Sequence, residues 1–196
     1  MDLALFDFDG TISHTDTFTP FLYFAVPRWR IAAGGVALGP LIAGYKLGFV
    51  PTPALRAWLV AAGFRGRRAA DVRRLGERYA GDVIPGVLRN EAIAKINWHK
   101  QRGDTVVVVS ASLDVYLSPW CRALGLDLIC SELGEREGVL SGRYRHGDCT
   151  GAEKARRVVE RYDLSRYSVV HAYGDTSEDR ALLELAHRKY YRWREV

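Results

Sequence analysis

Three short apolar runs constrain this chain's fold more than any other feature: Leu3-Ala4-Leu5-Phe6, Thr105-Val106-Val107-Val108-Val109 and Ser168-Val169-Val170-His171-Ala172-Tyr173. A strand with one wet face alternates apolar and polar residues, whereas a run that is apolar throughout needs cover on both faces. Helical patterns lie between these runs, notably at 86–101 and 152–162, and Gly103-Asp104 supplies a turn into the second run. Alternating strands and helices predict an α/β fold with a doubly wound parallel sheet, which binds ligands beyond the carboxyl ends of its strands. Leu126 to Cys130 reads as a further strand, and Glu132 to Tyr144 as a small β-hairpin.

Residues 12–85 do not share this rhythm. Seventy-odd residues between the first strand and the next core helix are far too many for an ordinary connection. The stretch is helical in character: aromatic-rich from Phe18 to Phe24, apolar and Gly-rich from Ile31 to Val50, amphipathic and Arg-rich from Pro53 to Tyr79. The expected organisation is a core of residues 1–11 and 86–196 with residues 12–85 inserted as a helical cap. A length of 196 residues accommodates one domain carrying such an insertion.

Each expected strand ends in polar residues. Asp7-Phe8-Asp9-Gly10-Thr11 follows the first, and residues two apart along a strand share a face. Two carboxylates there call for a positive partner, such as a divalent cation with oxygen ligands; the plainer alternative is an Asp-Gly turn. Ser110-Ala111-Ser112 follows the second strand, where a hydroxyl and backbone N–H groups can hold a phosphate oxygen or cap a helix. Capping is the preferred role for Ser112. Lys154 falls in a helix's first turn, against the macrodipole. Gly174-Asp175-Thr176-Ser177-Glu178-Asp179 follows the third strand; Asp179 suits an N-cap, but Asp175 at the strand edge does not.

These four segments, in this order and context, resemble the haloacid dehalogenase (HAD) superfamily of phosphohydrolases, with its Rossmann-like core. The insertion resembles the type-1 helical cap of subfamily IB, the phosphoserine phosphatase-like branch. Asp16-Thr17-Phe18, Cys149 to Lys154 and Ala186 to Trp193 are similar to the phosphatidylglycerophosphatase C-like hydrolases within it. The resemblance implies Asp7 as nucleophile forming an aspartyl-phosphate and Asp9 as acid and base. It also implies Mg2+ held by Asp7, the Asp9 carbonyl and Asp175, with Asp179 in support. Gly10, Thr11, Ser110, Ala111 and Lys154 would hold the phosphoryl oxygens. A dehalogenase needs no acid at Asp9, so phosphatase is the expected reaction.

Departures bear on the substrate. Phosphoserine phosphatases have glutamate where Asp16 stands, Gly-Gly in place of Ala111-Ser112 and asparagine in place of Glu178. Arg56 lies in the region of their carboxylate-binding cap arginine. Asp16 and Arg56 are thus specificity candidates, and the substrate is expected to be a phosphorylated small molecule or a lipid-linked phosphate such as phosphatidylglycerophosphate. Ile31 to Tyr45 carries no charge and many glycines; it reads as a poor continuous helix, either a buried helix pair or, with Pro27-Arg28-Trp29-Arg30, a peripheral membrane contact within residues 18–50.

A net charge of +5, mostly arginine, favours anionic partners, but no nucleic-acid motif accompanies it and nucleic acid is not expected. Cys121, Cys130 and Cys149 lack metal spacing and read as buried thiols. With acidic residues at Asp2, Asp7 and Asp9 in place of a leader, the expected location is cytoplasmic, at most peripheral on the membrane's inner face. A non-catalytic binding protein on the same fold is the competing class.

Overall fold

The computed structural model describes residues 1–196, apart from the side chains of residues 35–38, 40, 42 and 46. A six-stranded sheet is built from β1 (Leu3–Phe6), β2 (Thr105–Leu113), β3 (Asp127–Ser131), β6 (Val170–Gly174), β7 (Arg188–Tyr191) and β8 (Arg194–Glu195). Their order is β3-β2-β1-β6-β7-β8; all are parallel except β8, which runs antiparallel to β7. The chain leaves β1 toward β2 on one side and later returns to β6 on the other. This reversal opens a crevice at the carboxyl end of β1.

The apolar runs are covered on both faces, as their composition requires. Ala4, Phe6, Val106 and Val108 join one core cluster, while Leu3, Leu5, Val107 and Val109 join the other. The first cluster includes Ile96 of α5 (Asn90–Gln101) and Tyr116 of α6 (Asp114–Leu124); the second includes Val158 of α7 (Ala152–Arg161) and Leu182 of α8 (Arg180–Glu184). The predicted hairpin forms from β4 (Leu133–Arg136) and β5 (Val139–Tyr144), joined through Glu137 and Gly138, both at positive φ.

Four helices lie between β1 and α5: α1 (Phe18–Ala25), α2 (Arg28–Lys46), α3 (Thr52–Phe64) and α4 (Ala69–Asp82). Helix α4 packs on α6 and α3 on β5. Gly76 makes the first contact possible, since a Cβ there would lie 2.0 Å from the Val115 carbonyl oxygen.

The Gly-rich segment differs from its expectation. It forms one helix, α2, lying along α3, not a buried helix pair. Small residues lower helix propensity, but tertiary packing overrides so weak a bias. Trp29, Tyr45, Leu47 and Phe49 on and just beyond α2 are exposed. Among the described residues, no helix is long and apolar enough to cross a membrane.

Two strands escaped the sequence reading. Strands β7 and β8 carry Arg188, Lys189 and Arg194 and form a charged edge of the sheet. The first of the expected core helices, read at 86–101, begins later, at Asn90, because Ile84–Val87 forms a 3-10 turn.

Candidate active site

Asp7 is the first residue beyond β1, and its N–H still donates to the Tyr173 carbonyl at 3.0 Å. Its carboxylate is buried. Lys154, in the first turn of α7, brings its Nζ to 2.6 Å from Asp7 Oδ1 and 2.6 Å from Asp179 Oδ1. A buried ammonium at a helix N-terminus is doubly disfavoured, and the two carboxylates supply what the helix does not. Burial works to lower the Lys154 pKa, but Asp7 and Asp179 win and hold it above the usual range. Burial pushes the Asp7 carboxyl up, to about 8, against the pull of Lys154.

Asp179 is fully buried. Its Oδ2 accepts from the N–H groups of Asp175 and Thr176, each at 3.1 Å, and from Thr176 Oγ1 at 3.2 Å. It does take part in a capping box with Thr176, as an N-terminal aspartate should, and it also reaches the centre of the cluster. Gly174 permits this, because a Cβ there would stand 2.5 Å from Asp179 Cβ.

Asp175 receives a hydrogen bond from Thr11 Oγ1 at 3.2 Å. Gly10 turns at φ +86°, and a Cβ on it would fall 2.2 Å from Asp175 Oδ2. The carboxylate therefore occupies the space that a side chain at position 10 would take. Asp7, Asp175 and Asp179 each offer an oxygen within 4.8 Å of the others, the one acidic group of metal-binding dimensions among the described residues.

The Asp9 side chain is not part of that group. Strand β1 ends at Phe6 and the chain enters an irregular turn over Phe8–Ile12, so alternation along a strand does not extend to position 9. Asp9 Oδ1 accepts from Thr17 N at 2.7 Å and Thr17 Oγ1 at 2.6 Å, and Oδ2 accepts from Ser112 Oγ. Burial raises its pKa while these hydroxyls pull it down.

Ser110, Ala111 and Ser112 were expected in a strand-to-helix turn. They continue β2, which runs to Leu113 with an irregular register after Val109. Ser112 holds Asp9 instead of capping a helix, while Ser110 Oγ accepts from Ser112 N at 3.0 Å.

A cleft of about 300 Å³ is lined by Asp7, Asp9, Lys154, Ala111 and, from the stretch between β1 and α5, Asp16 just before α1 and Arg56 on α3. The latter pair are thus brought to the site, each already engaged. Asp16 accepts from Phe18 N and Thr19 N at 3.1 and 3.0 Å. Arg56 stands 3.9 Å over the Phe18 ring, donates to the Ala111 carbonyl and pairs with Asp148 at 3.1 Å.

Sequence reasoning missed Thr17, Asp148, Arg89 and Trp193. Arg89 Nε donates to the carbonyls of Gly10 and Ser13 at 3.1 and 3.3 Å, and Trp193 Nε1 to that of Thr11 at 3.3 Å, bracing the turn after β1 from both sides. Thr17 and Trp193 lie in segments, Asp16-Thr17-Phe18 and Ala186 to Trp193, that had been singled out only for their likeness to a subgroup.

Protein CicA of Caulobacter vibrioides is 33% identical over 201 residues, covering 97% of this chain and 85% of CicA. A protein with unknown function from Bordetella pertussis Tohama I superposes with a TM-score of 0.77 at 24% identity, covering 97% of this chain and 89% of that one. A substrate-bound phosphoserine phosphatase follows the same fold, with a TM-score of 0.65 at 20% identity over 97% of this chain and 85% of its own. The haloacid dehalogenase-like hydrolase family model matches residues 4–184, from β1 through α8. With its acidic strand ends and buried lysine in that framework, the chain belongs to the haloacid dehalogenase-like hydrolase family.

Proposed function

We propose that this protein is a phosphatase that cleaves phosphate monoesters through an aspartyl-phosphate on Asp7. The observation that carries the reading is Lys154, buried and held at 2.6 Å from both Asp7 and Asp179 at the mouth of the sheet crevice. Phosphoryl transfer asks mainly for positioning and charge stabilisation.

Asp7 Oδ1 is held by Lys154, leaving Oδ2 to attack phosphorus. As the new P–O bond forms, the ester P–O bond breaks, and its electron pair leaves on an alkoxide that takes a proton from Asp9. Asp9, now a carboxylate, removes a proton from water. The water oxygen bonds to phosphorus, the Asp7–phosphorus link breaks, and phosphate and the free Asp7 carboxylate result. Ser110 accepts from Ser112 N, which leaves its own O–H for a phosphoryl oxygen.

The residues fit a divalent cation. The cluster offers oxygen only, Gly10 leaves a space that the Asp175 carboxylate fills, and one lysine cannot balance three carboxylates. Asp7, Asp175 and the Asp9 carbonyl would hold Mg2+, while Asp179, saturated by Lys154 and backbone donors, positions the other groups. Such a cation would neutralise phosphoryl charge as it develops.

Residues 12–85 act as the cap in this reading. Arg56 and Asp16 reach the cleft from it, and the resemblance to subfamily IB supports the assignment. A lipid-linked phosphate such as phosphatidylglycerophosphate is the favoured substrate, with a soluble phosphorylated metabolite as the alternative. Between Thr17 and Ala70 the chain has seven basic residues and no acidic one, and Tyr23, Trp29, Phe49 and Trp58 are exposed there. Aromatic rings beside arginines suit an anionic headgroup layer, giving peripheral contact at the inner membrane face.

Hydrolysis of p-nitrophenyl phosphate with Mg2+ and with EDTA tests the reaction. Metal-dependent turnover that vanishes in Asp7→Asn is expected, and an active Asp7→Asn would refute the assignment. Flotation with phosphatidylglycerol vesicles tests the surface, and absence of binding removes the case for a lipid.

A further inference from the structure

The geometry points to Thr17 as a positioning residue that aims the Asp9 carboxyl at the leaving group. It lies where the turn after β1 passes into α1. This inference rests on the phosphatase reading and adds a role for a residue outside the four site segments.

Thr17 is buried and directs two donors, its N–H and its Oγ1–H, at one oxygen, Asp9 Oδ1. Two bonds from one residue to one oxygen fix the carboxyl torsion as a single bond would not. Since the Thr17 hydroxyl spends its only hydrogen on Asp9, the Tyr116 hydroxyl 3.2 Å away must donate to Thr17 Oγ1. Tyr79 Oη donates in turn to the Thr17 carbonyl at 3.1 Å. Thr17 is thus set from α4 and from α6, and the chain Tyr116–Thr17–Asp9 runs from the body of the fold to the reacting carboxyl.

The consequence is specific to proton transfer. With Oδ1 occupied by both Thr17 donors and Oδ2 met only by the Ser112 hydroxyl, which can accept as well as donate, the acidic proton belongs on Oδ2, the oxygen that serves the departing alkoxide. A loosened Asp9 hurts most where the leaving group needs a proton, as phenolate does, and least where it departs unaided, as p-nitrophenolate does.

The test compares Thr17→Val, which keeps shape and N–H but loses the hydroxyl, with Thr17→Ser, on p-nitrophenyl phosphate and phenyl phosphate with Mg2+. The expected result for Thr17→Val is a kcat loss of ~10-fold or more on phenyl phosphate and far less on p-nitrophenyl phosphate, with KM unchanged. Thr17→Ser should recover both. Tyr116→Phe, which leaves Thr17 in place, should show the same selectivity more weakly, and thermal melts establish that each variant is folded. Equal losses on both esters, or a change confined to KM, would overturn the role of Thr17 while leaving the phosphatase intact. Wild-type protein inactive on both esters would overturn the phosphatase reading, and this inference with it.

Discussion

Gly10 and Asp175 meet so closely that a Cβ on the glycine would lie 2.2 Å from the aspartate's Oδ2. Gly10 also holds φ +86°, a conformation that costs a side-chain-bearing residue about 1–2 kcal/mol. Gly10→Ala must therefore either displace Asp175 or distort the turn. We expect a folded protein that has lost at least ~10-fold in Mg2+ affinity, read by the cation dependence of p-nitrophenyl phosphate turnover. Unchanged dependence would show that Asp175 does not bind the cation.

Lys154 is the only cation bonded to Asp7 and Asp179 among the described residues. Lys154→Met leaves two buried carboxylates uncompensated, a change of the kind that costs about 3–5 kcal/mol. Urea denaturation in EDTA should show a loss of that order, and saturating Mg2+ should recover part of it. Turnover should stay absent even where stability returns, because the phosphoryl oxygens have lost their fixed positive partner. A variant as stable as wild type in EDTA would contradict the charge balance drawn here.

The core strands were legible because continuous apolar runs have few other fates in a chain of this size. Asp7, Lys154 and Asp175 were legible because each is a charge placed where local physics disfavours it. Asp179 was harder: its capping geometry is real and gives no sign that the same carboxylate also reaches Lys154. The role of Thr17 was invisible because its bond to Asp9 depends on an irregular turn of the intervening residues, which no periodicity describes. Helix α2 was misjudged because glycine count measures propensity, whereas contact with α3 decides the outcome. Strand β7 hid behind its charges, since a partly exposed strand next to the two-residue edge strand β8 carries Arg188 and Lys189 where a central one shows valines.

On α5, His99 sits between Asp104, 2.9 Å from Nδ1, and the Tyr173 hydroxyl of β6, 3.0 Å from Nε2. Burial lowers its pKa below 6.5 despite Asp104, and His171 and Lys95 add repulsion. His171 is likewise lowered by burial. A histidine depressed in the folded state takes up its proton more readily unfolded, so its contribution is present above the unfolded pKa and is lost as pH falls through about 6.5. Asp104 is held low by His99, the Asp2 N–H and Arg102 against the effect of burial, so its contribution is lost only as pH falls below the ordinary carboxylate value of 3.8, well under the histidine window. Between pH 7.5 and 5.5, wild type should lose more unfolding free energy than His99→Gln in parallel urea titrations. Equal losses in the two proteins would place the acid sensitivity elsewhere.

Arg56 belongs to α3, yet its charge is spent on the core: on Asp148, which Ser131 holds at 2.8 Å, and on the Ala111 carbonyl. Its side chain is only 13% exposed and that of Asp148 only 6%. An arginine so engaged is not free to receive a substrate carboxylate. Phosphoserine should therefore be no better a substrate than an uncharged alkyl phosphate of similar size, measured by released phosphate. Arg56→Met should destabilise by about 3 kcal/mol, since it strands a buried carboxylate. Arg56→Met combined with Asp148→Asn should recover much of that loss, giving a coupling energy of ~1–3 kcal/mol in the double-mutant cycle. If Arg56→Met instead abolishes a strong preference for phosphoserine while leaving stability unchanged, the guanidinium binds substrate and its pairing with Asp148 is incidental.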